Sequence, residues 1–133
     1  MKKTLTLAEV LIATVFLTVV FSGILMLVIN CMLLNEANRN STVAITHAQY
    51  IMEEVRDTSF DFVPGAINSG VWDLDVTKLA TEPYNLAVLN SELIDTSVAT
   101  VGSLLEIIVD ISWQDRKGRD RSEQLTTWIA DYQ

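Results

Sequence analysis

The sequence predicts an α+β fold: a long N-terminal helix, transmembrane in its first half and amphipathic in its second, packed on a small C-terminal antiparallel β-sheet. Three observations predict it. No charged residue occurs from Val10 to Asn35, and Leu, Ile, Val and Phe fill 16 of the 25 positions from Val10 to Leu34. Helical spacing of apolar residues then continues, with no proline from Met1 to Val63. Near the C-terminus the apolar period changes to two, followed by a Gly-containing turn and a second extended stretch. At 133 residues the chain has room for one domain beyond such a helix.

Twenty-five helical residues span roughly 37 Å, enough to cross a hydrocarbon layer of about 30 Å with some tilt. At about 0.3–0.6 kcal/mol per Leu, Ile, Val or Phe, insertion gains roughly 7 kcal/mol before Thr14, Thr18, Ser22 and Asn30 subtract from it. Lys2 and Lys3 precede the run and an acidic region follows, so the positive-inside rule places the N-terminus in the cytoplasm and the C-terminal part outside. A cleaved secretory signal would carry a shorter apolar core and a small-x-small site. No Ala-x-Ala follows this run, and Val28-Ile29-Asn30 before Cys31 lacks the small residues of a lipidation signal. The apolar helix therefore stays with the protein.

Beyond Asn35 the helix becomes amphipathic. Ala37, Ala44, Ala48, Ile51, Met52 and Val55 recur near helical spacing, while Glu36, Arg39, Asn40, Glu53, Arg56 and Asp57 fall mostly on other faces. One continuous helix is expected from about Leu7 to Thr58, with Gly23 its only glycine. Pro64-Gly65 and Asn68-Ser69-Gly70 punctuate the chain. Residues 60–103 read as loops with one short strand at Val71–Val76. Asp73 and Asp75 on that strand lack the rest of a calcium loop and read as a solvated strand face. Leu105, Ile107, Val109, Ile111 and Trp113 alternate with Glu106, Asp110 and Ser112, a strand with one buried face. Residues 114–119 turn, and Ser122 to Ala130 return, closing a hairpin over 104–130.

The charge distribution narrows the function. The formal net charge is −8, and after Asn35 there are 16 acidic residues against 7 basic ones. Such a surface repels phosphates and argues against nucleic acid as a partner. The single Cys (Cys31) allows no intrachain disulfide, and the single His (His47) leaves no His/Cys zinc cluster. GxGxxG, P-loop, GxSxG and HExxH motifs are all missing, so neither an enzyme nor a cofactor is expected. The hairpin holds Arg116, Lys117, Arg119 and Arg121, four of the seven basic residues beyond the apolar run. A solvated turn is the plain reading of this cluster, contact with an acidic neighbouring subunit the second, and DNA capture a distant third.

One residue breaks the apolar pattern. Glu9 follows Leu5-Thr6-Leu7-Ala8 and precedes Val10-Leu11-Ile12-Ala13. A carboxylate at the centre of a bilayer costs about 2.5–3.5 kcal/mol, and less near the interface. It is either an interfacial glutamate that snorkels without a partner or a charge held for a positive group from another chain. The residue alone leaves both open.

The string Lys2-Lys3-Thr4-Leu5-Thr6-Leu7-Ala8-Glu9-Val10-Leu11-Ile12-Ala13 resembles the class III signal of type IV prepilins and type II secretion pseudopilins. In that family a basic leader precedes an apolar residue, Thr, Leu, any residue and Glu, and a long apolar helix follows. Thr4 stands where the family carries Gly. The ending Ile111-Ser112-Trp113-Gln114-Asp115-Arg116-Lys117-Gly118-Arg119-Asp120-Arg121-Ser122 with Leu125-Thr126-Thr127 is similar to the C-termini of PilV-type minor pilins and of minor pseudopilin I subunits. The two motifs and the stem cover about 55 residues and leave the middle unmatched. The lack of two C-terminal cysteines departs from disulfide-looped major pilins and favours a minor subunit.

The resemblance implies a pilin-like fold with a leader at residues 1–4, a transmembrane and filament-core half-helix at 5–34, and an extracytoplasmic domain at 35–133, its helix ending at 58. It implies cleavage by a prepilin peptidase between Thr4 and Leu5, N-methylation of Leu5, and a register or assembly role for Glu9. The implied function is that of a structural subunit of a type IV pilus or type II secretion-like filament, acting in initiation or at the tip. It would wait in the bacterial inner membrane among lipid before joining a periplasmic or cell-surface filament. Its partners would be other pilin or pseudopilin subunits, the peptidase and the inner-membrane assembly platform. The alternative is a single-pass anchored domain that binds a ligand outside the membrane and never assembles.

Overall fold

A computed structural model of the chain describes residues 6–84 and 86–130. It is an α+β fold in which a long N-terminal helix, α1 (Leu7–Asp57), leads into a four-stranded antiparallel sheet. The chain divides into two compact units, Met1–Asn38 and Arg39–Gln133. The described part of the first unit is almost wholly α1.

In the first unit the large apolar side chains of α1, from Leu7 to Leu34, are all exposed. Its three mid-helix hydroxyls turn back onto their own helix. Thr14 donates to the Leu11 carbonyl at 2.9 Å, Thr18 to Val15 at 2.8 Å and Ser22 to Thr18 at 2.8 Å. With these donors satisfied internally, the polar residues weigh less against an apolar surrounding than their type suggests. The segment is long and apolar enough to span a membrane.

In the second unit α1 carries a buried stripe of Ala44, His47, Ala48, Ile51, Met52 and Val55. This spacing of three and four residues lays one face of the helix on the core. Ala37, expected on that face, is exposed and lies in the first unit, whereas the stripe begins at Ala44 and includes His47. Ala44, Ala48, Ile51, Met52 and Val55 form one buried cluster with Leu105, Ile107, Val109, Ile111 and Trp113 of the sheet.

The sheet order is β1 (Leu74–Asp75), β2 (Leu93–Val101), β3 (Leu104–Gln114) and β4 (Asp120–Ala130), each neighbour antiparallel. β3 is central, and its alternation of buried and less buried residues is the one expected. Val101 and Leu104 face each other across Gly102-Ser103, and Gly102 has φ +66°. A two-residue hairpin with Gly first and positive φ only there is a type II′ turn, whose twist suits the flanking strands.

Residues 60–103 hold more structure than the expected loops and one short strand. A 3₁₀ turn (Phe60–Phe62) leads into α2 (Val63–Asn68), with Pro64 in its first turn. Proline fits there because its missing N–H has no helical partner in any case. The expected strand at 71–76 shrinks to Leu74–Asp75, because Asp75 accepts hydrogen bonds from the Thr77 and Lys78 N–H groups, both at 2.9 Å. That cap starts the short helix α3 (Val76–Leu79) in place of further strand. β2 was not expected at all; of its inward residues Ile94, Thr96, Val98 and Thr100, only Ile94 is fully buried.

Candidate functional site

Three places gather polar groups. The first is the start of α1. Thr6 donates its backbone N–H to Glu9 Oε2 at 2.8 Å and its hydroxyl to the same oxygen at 2.9 Å. The Glu9 N–H returns a bond to Thr6 Oγ1 at 3.3 Å. Thr6-x-x-Glu9 is thus a capping box, and it satisfies two donors that the helix leaves open. Glu9 is neither a bare snorkelling carboxylate nor, within a single chain, without a partner. The spacing was visible in the sequence. The cleavage position Thr4–Leu5, the N-methylation position Leu5 and leader residues 1–4 lie outside the described residues.

The second is buried. His47 Nδ1 lies 2.6 Å from Glu92 Oε1, and both residues are almost fully enclosed, 4% and 2% exposed. The other oxygen of Glu92 accepts the Leu89 N–H at 2.7 Å. Both carboxylate oxygens are thereby used, and α1 is tied to the segment that enters β2. The pair is closed to solvent and positions elements; no substrate reaches it.

Glu54 forms a related tie about two turns further on. It accepts the Trp72 indole N–H at 3.1 Å, and its hydrogen bond with Tyr50 pushes that phenol's pKa up, its charge adding to the effect. Burial, and then the Glu54 charge, raise the Tyr84 phenol, whose ring meets Tyr50 edge-on at 5.9 Å. Asp73 joins β1 to β2 by accepting the Thr96 N–H and hydroxyl, both at 2.9 Å. With Asp75 capping α3, the two acids considered for calcium hold backbone and hydroxyl donors instead. Among the described residues no three His, Cys, Asp or Glu side chains converge as a metal site.

The third is the basic turn between β3 and β4. Asp115 accepts the N–H groups of Lys117 and Arg119 at 2.9 and 3.1 Å, and Gly118 adopts φ +69° to complete the turn. The Arg119 guanidinium contacts Asp115 Oδ2 at 2.8 Å, and Arg121 Nε lies 3.5 Å from that oxygen. Arg119 and Arg121 therefore pair with Asp115 within the turn, and the Arg116 and Lys117 residues are exposed at its apex. The hydrogen bond from the Arg119 side chain, followed by those from the Arg119 and Lys117 backbones, draws the Asp115 carboxyl from 3.8 to about 2.

The folded chain binds this proton less tightly than the unfolded one, so the unfolded state takes up more protons between about pH 4 and pH 2. The turn's contribution is complete above that window and is lost as pH falls through it. Asp115→Asn keeps the Oδ1 acceptor and removes the titration. Its acid-unfolding curve, followed by circular dichroism, is expected to be flatter between pH 4 and 2 than that of the unmodified chain.

A shallow groove of about 420 Å³ lies between α1 and β4, lined by residues that include Gln49, Glu53, Arg56 and Thr127. Arg56 bridges it to Thr127 Oγ1 at 3.2 Å. Nucleophile, base and oxyanion donors do not converge there.

Comparison with family models, curated proteins and solved structures returned no match to this chain.

Proposed function

We propose that the chain is a structural subunit, a minor pilin or pseudopilin, of a type IV pilus or type II secretion-like filament. One observation carries the reading. Helix α1 passes without a break from an exposed apolar segment into a segment whose one face is core. Before assembly, lipid covers residues 7–34; in a filament, the stems of neighbouring subunits replace it. The same surface serves both environments because each offers only dispersion and the exclusion of water.

In this reading the N-terminus with Lys2 and Lys3 starts in the cytoplasm and the acidic domain outside, in the inner membrane of a bacterium. A prepilin peptidase cuts between Thr4 and Leu5 and methylates the Leu5 amine. The assembly platform then draws the subunit into a periplasmic or surface filament, where it acts in initiation or at the tip. The chain performs no catalysis of its own. The Thr-Leu-x-Glu signal and the capping box at its end support this route, since Thr6 holds the Glu9 carboxylate at the helix start.

Mass spectrometry of the N-terminal peptide tests the proposal. A methylated Leu5 is expected in protein from membranes and from sheared filaments. An intact Met1-Lys2-Lys3 terminus throughout, with none of the chain in the sheared fraction, would leave a plain membrane-anchored domain.

A further inference from the structure

The face of the sheet turned away from α1 is uncovered and has one kind of charge. Asp95, Glu106 and Asp110 lie on it, and neither Lys nor Arg does: Arg121, the one cation in these strands, pairs in register with buried Trp113 and so shares the inner face. Asp95 and Asp110 stand directly opposite each other across β2 and β3. Like charges in that position destabilise a sheet unless a cation relieves them. Glu106 stands opposite Trp128 on β4, whose indole is 51% exposed. Val101 and Leu104 extend the apolar part of the face towards the Gly102 turn. An exposed indole beside a carboxylate is a seat for an ammonium or guanidinium group, the ring face and the anion acting on the same cation.

The chain carries the complement at the other end of the same strands. Arg116 and Lys117 are exposed at the apex of the β3–β4 turn. From Asp120 to Trp128 is eight residues of extended strand, about 27 Å. A molecule's own turn is therefore out of reach of its own Trp128.

We propose that the basic turn of one copy docks on the Trp128–Glu106 face of a second copy, with Asp110 and Asp95 completing the anionic surround. The two surfaces differ, so the contact is head-to-tail and each copy keeps one of each kind free. It therefore propagates as a stack and does not close as a two-fold dimer. The contact rests on the filament-subunit reading for its setting, where aligned stems raise the local concentration of outer domains.

The test uses the full-length chain in membranes of expressing cells, treated with a carbodiimide that joins a lysine amine to a carboxylate in contact. A ladder of dimers and larger species is expected, with Lys117 linked to Glu106 or Asp110 in the dimer band. Trp128→Ala or Glu106→Lys is expected to lower the ladder about fivefold or more, the effect of losing roughly 1 kcal/mol of cation–π or ion-pair contact. Combining Glu106→Lys with Lys117→Glu exchanges amine and acid and is expected to restore it. Lys117 linked only to its own turn, or only to a different protein, overturns the proposal, as does a ladder unchanged by both single substitutions. Filament yield from the same cells is read separately. Filaments without the Lys117 link retain the filament reading and remove this contact; the link without filaments does the reverse.

Discussion

Replacing Glu92 by Leu is expected to destabilise the folded domain by about 2–5 kcal/mol, the cost of leaving two buried polar groups without the carboxylate they share. The carboxylate holds His47 Nδ1 at 2.6 Å and the Leu89 N–H at 2.7 Å in a place closed to water. Removing it strands an imidazole and a backbone donor together, and neither can turn to solvent. Glu92→Gln keeps one acceptor oxygen, enough for the Leu89 N–H, and an amide N–H that can donate to a neutral imidazole, and is expected to cost less, about 1–2 kcal/mol. The double variant His47→Leu with Glu92→Leu takes away the imidazole as well as the carboxylate, and should recover a large part of the single-variant loss. Urea unfolding of the detergent-solubilised chain, followed by tryptophan fluorescence, measures all three. A single-variant loss no greater than that of Glu92→Gln would mean that the pair is hydrated and does not anchor the segment before β2.

Residues close together in sequence made much of this molecule legible, and long-range pairs hid the rest. Strand β3 could be read because apolar residues hold every inward position from Leu105 to Trp113, with Ile108 the one apolar residue facing out, and because the strand sits between two partners. The helix could be read because its apolar residues are dense and no proline interrupts it. β2 escaped notice because its inward positions include Thr96 and Thr100, which hide the alternation; only Gly102-Ser103, a two-residue hairpin turn, marked its end. The strand expected at 71–76 was cut short by a single side chain, the Asp75 cap. Thr6-x-x-Glu9 has the spacing of a capping box, so the local partner of Glu9 is written in the sequence three residues before it. Glu92 gave no local signal, since its partner lies 45 residues away on another element. His47 stood out as the only histidine, yet its role depends entirely on what the fold brings beside it.

The capping box changes how Glu9 is best tested, because it gives the residue two roles that a poor choice of substitution would confuse. Glutamine serves at the third helical position of such a box nearly as well as glutamate, so Glu9→Gln keeps the helix start and removes only the charge. Thr6→Ala does the opposite, weakening the cap by about 0.5–2 kcal/mol and leaving the carboxylate. In the filament reading, cleavage between Thr4 and Leu5 leaves an amine one residue before Thr6. Among packed apolar stems neither that amine nor Glu9 reaches water, and each alone costs several kcal/mol. At about 4 Å and an effective dielectric near 20, pairing the amine of an incoming chain with Glu9 of a neighbour is worth roughly 4 kcal/mol. Leu, Val and Ile surfaces tolerate sliding, whereas this pair fixes axial register. Within one chain Glu9 stands four positions after Leu5 in the sequence, which makes the amine's own Glu9 the competing partner, and the bonds from Thr6 hold the carboxylate in the first turn for either arrangement. Glu9→Gln is expected to leave expression and membrane insertion unchanged and to lower the ratio of sheared-filament to membrane-bound protein at least tenfold, the equivalent of about 1.4 kcal/mol. Thr6→Ala is expected to change that ratio little. Equal ratios for Glu9→Gln and the unmodified chain would reduce Glu9 to a helix cap, and register would then have to come from the outer domains alone.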